Sequence, residues 1–144
     1  MTPTRYLIDN NVLSKLTPKQ RASELFRISC RLTSDVLFEA RGYVEEELAE
    51  LEYQVTQEVL AFLLVVMASL EPGKTDLVDL WANKGTADPV LIASLLAIRA
   101  SESETLFHDI WMLVTDDQTL ASTARDFEIP VLSSRDFQSL WQNT

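Results

Sequence analysis

Apolar and polar positions alternate between short apolar runs and longer helix-period segments. Arg5 to Asp9 (Arg-Tyr-Leu-Ile-Asp) is an apolar run ending in an acid and reads as a buried strand. Ile110 to Thr115 (Ile-Trp-Met-Leu-Val-Thr) is the strongest strand pattern in the chain, and Ile129 to Leu132 is a shorter one. Between them lie helical patterns. One turn starts at Val12 and stops near Thr17-Pro18, and Gln20 to Phe26 can form another helix. Phe26 to Cys30 is short enough to be a strand. Ser34 or Asp35 can cap a helix through Val36, Leu37, Phe38, Ala40 and Arg41, with Gly42 as its breaker. Tyr43 to Leu70 has helical character throughout, Glu-rich first and apolar second.

Further along, Glu71-Pro72-Gly73-Lys74 reads as a turn, and Thr75 as the cap of a short helix carrying Leu77, Leu80 and Trp81 on one face. Lys84 to Ala87 closes it. Asp88-Pro89 then opens a helix through Val90 to Ala100, with an acid at the cap and Pro at the first helical position. A helix through Leu120, Thr123, Ala124 and Phe127 follows Asp116-Asp117. Ser133 or Ser134 caps a last helix with Phe137 and Leu140. Strands separated by helices predict an α/β fold, a central parallel β-sheet flanked by helices on both faces. The chain of 144 residues has the length of a single domain, spanning 1–144.

The run Val59 to Leu70 is too short to cross a bilayer, which takes about 20 residues. It predicts a helix buried all round, in the core or in a subunit interface. The apolar stretch at the N-terminus is too short for a signal peptide, so the expected location is cytoplasmic, with no membrane association. One cysteine, Cys30, excludes an internal disulfide framework, and one histidine, His108, excludes His-cluster metal chemistry. Any metal must therefore be a hard ion held by oxygen.

The net charge of −10 argues against simple electrostatic binding of nucleic acid. The charge is uneven. Residues 1–41 carry +3 and the remainder −13. The basic segment Lys15 to Arg31 is a candidate RNA-facing edge or an ordinary solvated face. Glu45, Glu46, Glu47, Glu50 and Glu52 read as a solvated helix face or a dock for a basic protein arm. Trp111 and Trp141 are candidates for exposure. Cys30 is expected to be buried and inert, and His108 to lie at the surface or in packing.

The carboxylates carry the chemical signal. Asp9 follows the first strand, and Asp116 and Asp117 follow the strongest one. Ligands of open parallel sheets bind beyond the carboxyl ends of the strands, so these acids can converge. Clustered carboxylates repel one another unless a cation neutralises them, and oxygen-only ligation suits Mg²⁺ or Mn²⁺. Such an ion polarises a phosphodiester and lowers the pKa of an attacking water. Each acid also has a structural reading. Asp88, Asp116 and Asp117 can be helix caps and Glu39 a solvated helix residue. Asp9, followed by Asn10-Asn11, needs hydrogen-bond partners or a ligand.

Four segments, in order, carry a resemblance: Tyr6-Leu7-Ile8-Asp9-Asn10-Asn11-Val12-Leu13, Asp35-Val36-Leu37-Phe38-Glu39, Ala87-Asp88-Pro89-Val90-Leu91-Ile92-Ala93 and Leu113-Val114-Thr115-Asp116-Asp117. A closing Ile129-Pro130-Val131-Leu132-Ser133 through Phe137 completes it. The set resembles the PIN-domain family, and within it the VapC-like toxin ribonucleases. The resemblance spans nearly the whole chain, and its specificity lies in the order of the motifs rather than in any one of them. It implies a single PIN-like domain that hydrolyses RNA phosphodiester bonds with Mg²⁺ or Mn²⁺. Asp9, Glu39, Asp88 and Asp117 would be catalytic, with metal held by Asp9, Asp88 and Asp117, Asp116 being the alternative to Asp117. Asn11 and Thr115 would hold those carboxylates by hydrogen bonds. The resemblance further implies a homodimer and a small antitoxin partner. The long acidic stretches Gly42 to Gly73 and Ala100 to Asp109 depart from the toxin pattern. A PIN-type RNA-processing nuclease and a non-catalytic PIN-like protein-binding module are the alternatives. A phospho-accepting receiver domain is excluded by the missing acidic pair at Asn10-Asn11 and the absence of any Lys after Lys84. A haloacid-dehalogenase-type phosphatase is disfavoured by Asn11, where a second Asp is wanted.

Overall fold

A computed structural model describes residues 3–69, 87–103, 105, 106 and 108–142, with the side chains of Ala87 and Asp88 outside that description. The turn and short helix expected over 71–84 lie outside the described residues. The strands are β1 (Thr4–Ile8), β2 (Cys30–Thr33), β3 (Glu52–Tyr53), β4 (Ile110–Val114) and β5 (Val131–Leu132). They form a five-stranded sheet in the order β3-β2-β1-β4-β5, and every pairing is parallel. β1 lies at the centre, with Tyr6 opposite Cys30 on one side and Met112 on the other.

The chain runs outward from β1 through β2 to β3, then returns to the other side of β1 for β4 and β5. Parallel crossovers are right-handed, so the two directions of travel put their helices on opposite faces. The strand order thus reverses between β1 and β4. Their carboxyl ends flank the crevice that open α/β sheets use for ligands.

Local chemistry sets the short helices of the first half. These are α1 (Asn10–Leu13), α2 (Pro18–Arg21), α3 (Glu24–Ser29) and α4 (Ser34–Ala40). Thr17 and Gln20 form a reciprocal capping box with Pro18 at the first position of α2. Ser23 then caps α3, which breaks the helix expected over Gln20 to Phe26 into two. Helix α3 runs on to Ser29, so Phe26 to Ser29 is helical and the strand begins only at Cys30. Thr33, rather than Ser34 or Asp35, caps α4, because its hydroxyl reaches the Val36 amide.

The long helix expected over Tyr43 to Leu70 is replaced by smaller pieces. A 3₁₀ segment covers Glu46–Leu51, β3 follows, and only then comes α5 (Gln57–Ala68), capped by Thr56. Helix α5 is not buried all round. Val59 and Val66 are buried, whereas Leu60, Leu64 and Val65 are 51%, 74% and 51% exposed. The helix buried all round is α6 (Ala87–Glu102), in which residues 89–98 are all buried. Helix α6 lies against β2 and β4 on one side and α5 on the other, so α5 forms an outer layer. Among the described residues no helix is long and apolar enough to cross a membrane.

Helix α7 (Gln118–Asp126) leads into β5, and α8 (Ser134–Gln138), capped by Ser133, ends the fold with a 3₁₀ turn over Ser139–Trp141. The two tryptophans expected at the surface are partly buried. Trp141 packs edge-on to Phe137 at 5.1 Å and donates from Nε1 to the Ser23 hydroxyl at 3.0 Å. Phe137 in turn meets Tyr6 of β1, which pins the C-terminal helix onto the central strand. Trp111 lies edge-on to Tyr53 with ring centroids 6.5 Å apart. Cys30 is buried and free, and burial pushes its thiol well up, which makes it a poor nucleophile. His108 is exposed.

Helix α7 ends with the Ile129 amide bonded to the Ala124 carbonyl at 3.0 Å, which requires a left-handed residue between them. Glu128 takes that conformation with φ of 61°. A residue with a Cβ costs about 1 kcal/mol there, a cost glycine avoids. Glu128→Gly is therefore expected to stabilise the protein by up to about 1 kcal/mol, read as a higher urea midpoint with an unchanged slope.

Candidate active site at the strand reversal

Asp9 is the residue on which the site turns. It leaves β1 at its carboxyl end, and its amide donates to the Val114 carbonyl of β4 at 3.0 Å, so the backbone holds it between the two strands. It is 4% exposed. Its side chain accepts from the Asn10 amide at 2.8 Å and from the Thr115 hydroxyl at 2.7 Å. The first bond also makes Asp9 the cap of α1. The partners that the sequence demanded for a buried acid are thus present. They occupy one lone pair on each oxygen, which leaves room for further ligands.

Burial raises the Asp9 carboxyl above the usual range, the hydrogen bonds from Thr115 and Asn10 lower it, and the charges of Asp117 and Asp116 raise it again. The net direction is up. An acid raised on folding weakens the fold where it is ionised. That penalty is complete above the raised value and disappears as pH falls below the unfolded value of about 3.9.

The acids after β4 differ in what they do. Asp116 is engaged at both oxygens: Oδ1 accepts from the Ser134 amide at 2.8 Å, and Oδ2 pairs with the Lys15 ammonium. Burial works against its charge, but the bonds from Lys15 and Ser134 outweigh burial and hold this carboxyl below its usual range. Asp116 is therefore a tie between the turn after α1, the end of β4 and the start of α8. Asp117 caps α7 through Oδ1, which accepts from Leu120 at 3.0 Å. Among the described residues its Oδ2 has no hydrogen-bond partner. Asp117, rather than Asp116, is the carboxylate of the pair with an oxygen to spare.

Of the two expected supports, Thr115 bonds a carboxylate, whereas Asn11 meets only the backbone amide of Asp116 among the described residues. The Asp117 amide donates to Thr115 Oγ1 at 3.0 Å, and the same hydroxyl donates to Asp9, so one side chain fixes both acids. Asn11 Oδ1 faces the Asp116 amide at 3.4 Å. Glu39 is exposed on the last turn of α4. Asp88 lies in the first turn of α6, and its side chain is outside the described residues. Among the described residues no three His, Cys, Asp or Glu side chains are grouped so as to hold a metal ion.

Tyr43, which sequence reasoning passed over, and Arg21, expected on a basic edge, stand close to one another near Asn10. Tyr43 donates from its hydroxyl to Asn10 Oδ1. Burial raises its phenol, Arg21 opposes this, and the charges of Glu39 and Asp9 add to it. Tyr43 thus stands within electrostatic reach of both acids. Arg21 is buried, pairs with Glu45 through two bonds of 3.0 Å and donates to the Leu16 carbonyl at 2.6 Å. The bond from Arg21 lowers the Glu45 carboxyl. Arg21 is therefore a strut rather than part of a free basic edge, and Lys15 is already paired with Asp116. The only sequence signal for Tyr43 was its place directly after the breaker Gly42.

Thr115→Val removes the hydroxyl that serves both acids. A bond to a buried charge contributes about 1.5–3 kcal/mol, and a loss of that size is expected at pH 7. The Thr115 bond lowers Asp9, so its removal raises the folded value further. The deficit should then shrink as pH falls through the raised folded value of the wild type, below which Asp9 is protonated in both folded proteins. Denaturant melts at pH 7 and near pH 4 read both effects. In comparisons with known proteins, no family model matches the chain and no curated protein matches it.

Proposed function

We propose that the chain is a PIN-like, metal-dependent endoribonuclease that hydrolyses RNA phosphodiester bonds. The observation that carries the reading is the buried Asp9 carboxylate at the strand reversal, raised by burial and by neighbouring Asp117 and Asp116. A group in that state gains most from a cation. The donors nearby are oxygens, in keeping with Mg²⁺ or Mn²⁺. Asp9 and Asp117 would hold the ion, with Asp88 completing the set. When bound, the ion supplies Lewis acidity towards a phosphodiester and lowers the pKa of a coordinated water.

The chain's own residues then do the rest. Thr115 ties the Asp9 carboxylate to the Asp117 backbone through its single hydroxyl, which donates to the first and accepts from the amide of the second. Asp116, tied to Lys15 and Ser134, anchors the loop and holds no ion. Glu39, exposed on the last turn of α4, would complete the site or orient the attacking water.

The toxin assignment, with a small antitoxin partner and a homodimer, belongs to the same proposal. It draws support from the exposed Leu60, Leu64 and Val65 on α5, a surface suited to another protein. That face equally supports a second reading, a PIN-like module that binds protein without cleaving RNA.

Mn²⁺ titration of wild type and Asp9→Asn, followed by thermal melting and by cleavage of total RNA, tests the proposal. Wild type should gain about 2.7 kcal/mol of stability at an ion concentration 100-fold above Kd, and should cleave RNA. Asp9→Asn should lose both effects. A wild type that neither responds to millimolar Mn²⁺ nor cleaves RNA overturns the enzyme and leaves the binding module.

A further inference from the structure

Three cations of the chain are committed to internal pairs: Lys15 with Asp116, Arg21 with Glu45 and Arg5 with Asp109. With a net charge of −10, the protein is poorly equipped to follow an RNA backbone by charge alone. It carries a different kind of nucleic-acid surface beside the site. Phe38 directly precedes Glu39 on α4 and is 65% exposed. The Arg41 guanidinium lies 3.8 Å over its ring. Arg41 is fixed there, since Nη1 donates to the Phe38 carbonyl at 2.6 Å.

Beyond it, Gly42 faces open space, with nothing within 4 Å of where a Cβ would stand. Tyr43 then presents a ring that is 41% exposed, with the Arg21 guanidinium 6.0 Å from its centroid. The segment from Phe38 to Tyr43 therefore sets two exposed rings, each accompanied by a guanidinium, on either side of Glu39 and the open Gly42.

Resting on the nuclease reading, we propose that Phe38 and Arg41 form a stacking shelf for an unpaired nucleobase, so that the RNA is gripped by its bases. Aromatic faces and guanidinium planes both stack bases, and an adjoining positive charge suits the phosphate of the same nucleotide. A burial-driven explanation for Phe38 fails, because most of the ring stays in water. Paired bases in a duplex have their faces covered, so the shelf selects unpaired RNA.

The test is fluorescence anisotropy with a short labelled single-stranded RNA and with the same sequence in a duplex, in EDTA to prevent cleavage. Wild type should bind the single strand and discriminate against the duplex. Raising salt from about 50 to 200 mM should cost less than about tenfold in affinity, against a thousandfold or more for a protein contacting six or more phosphates. Phe38→Ala and Phe38→Leu should each weaken binding about tenfold, whereas Phe38→Trp should keep it. Stabilisation by Mn²⁺ should be unchanged in all three, which shows that they are folded with the site intact.

Wild-type affinity in Phe38→Leu, equal binding of the duplex, or a steep salt dependence overturns the shelf. If Mn²⁺ stabilisation and RNA cleavage survive in wild type, the nuclease reading stands without it. No RNA binding and no cleavage by wild type overturns both.

Discussion

A carboxylate is buried at the one place where the sheet changes direction, and the rest of the site is arranged around the consequences. Asp9 is held by its own amide on β4, by the Asn10 amide and by the Thr115 hydroxyl. None of these bonds cancels the cost of placing a charge there beside Asp116 and Asp117. A protein that needed only a helix cap at this position could use serine or asparagine without that cost. Keeping an aspartate instead favours a state in which a cation is present. That physical argument, together with the position of the crevice, makes the cluster a functional candidate independently of any resemblance.

The chain's acidity shapes the same site from the outside. Part of the basic front end, which a charge count suggests as a nucleic-acid edge, is spent on architecture, while Lys19 and Arg27 stay exposed. Arg21 is a buried strut tying α2 to Glu45, and Lys15 neutralises Asp116. The second tie occupies Asp116, whereas among the described residues Asp117 Oδ2 has no hydrogen-bond partner, so on the proposed reading Asp117 is the ligand of the pair. Charge that would attract RNA is thereby converted into charge that fixes the acids. On the proposed reading, affinity for RNA would come from ions and base faces more than from a basic groove.

Much of this was legible along the chain, for particular reasons. β1 is the central strand and β4 is paired on both sides, and their runs, Tyr6-Leu7-Ile8 and Met112-Leu113-Val114, are apolar without interruption. Asp9 stood out as an acid at the end of such a run. Helix α6 announced itself through Asp88-Pro89 and its apolar length. β3 is two residues long, too short for any period to show, and it sits inside a Glu-rich stretch that favours a helix on composition. Helix α5 is apolar enough to suggest full burial, yet α6 already fills the layer next to the sheet and leaves one face of α5 outside. The roles of Arg21 and Tyr43 depend on partners 24 and 33 residues away, which no local pattern records. Caps were misplaced by a residue at α4 because Thr33, Ser34 and Asp35 all suit the position. Only the end of β2 decides among them.

The central claim is that Asp9 is a carboxylate raised above its usual range by burial and by the charges of Asp117 and Asp116, and that the proposed cation would relieve it. The most direct measurement is its titration by carboxyl-carbon NMR, without divalent ions and again with Mg²⁺. The account predicts a midpoint above the ordinary value of about 3.9 without the ion and a clear downward shift with it. A midpoint at or below the ordinary value, or one that Mg²⁺ leaves in place, would contradict it.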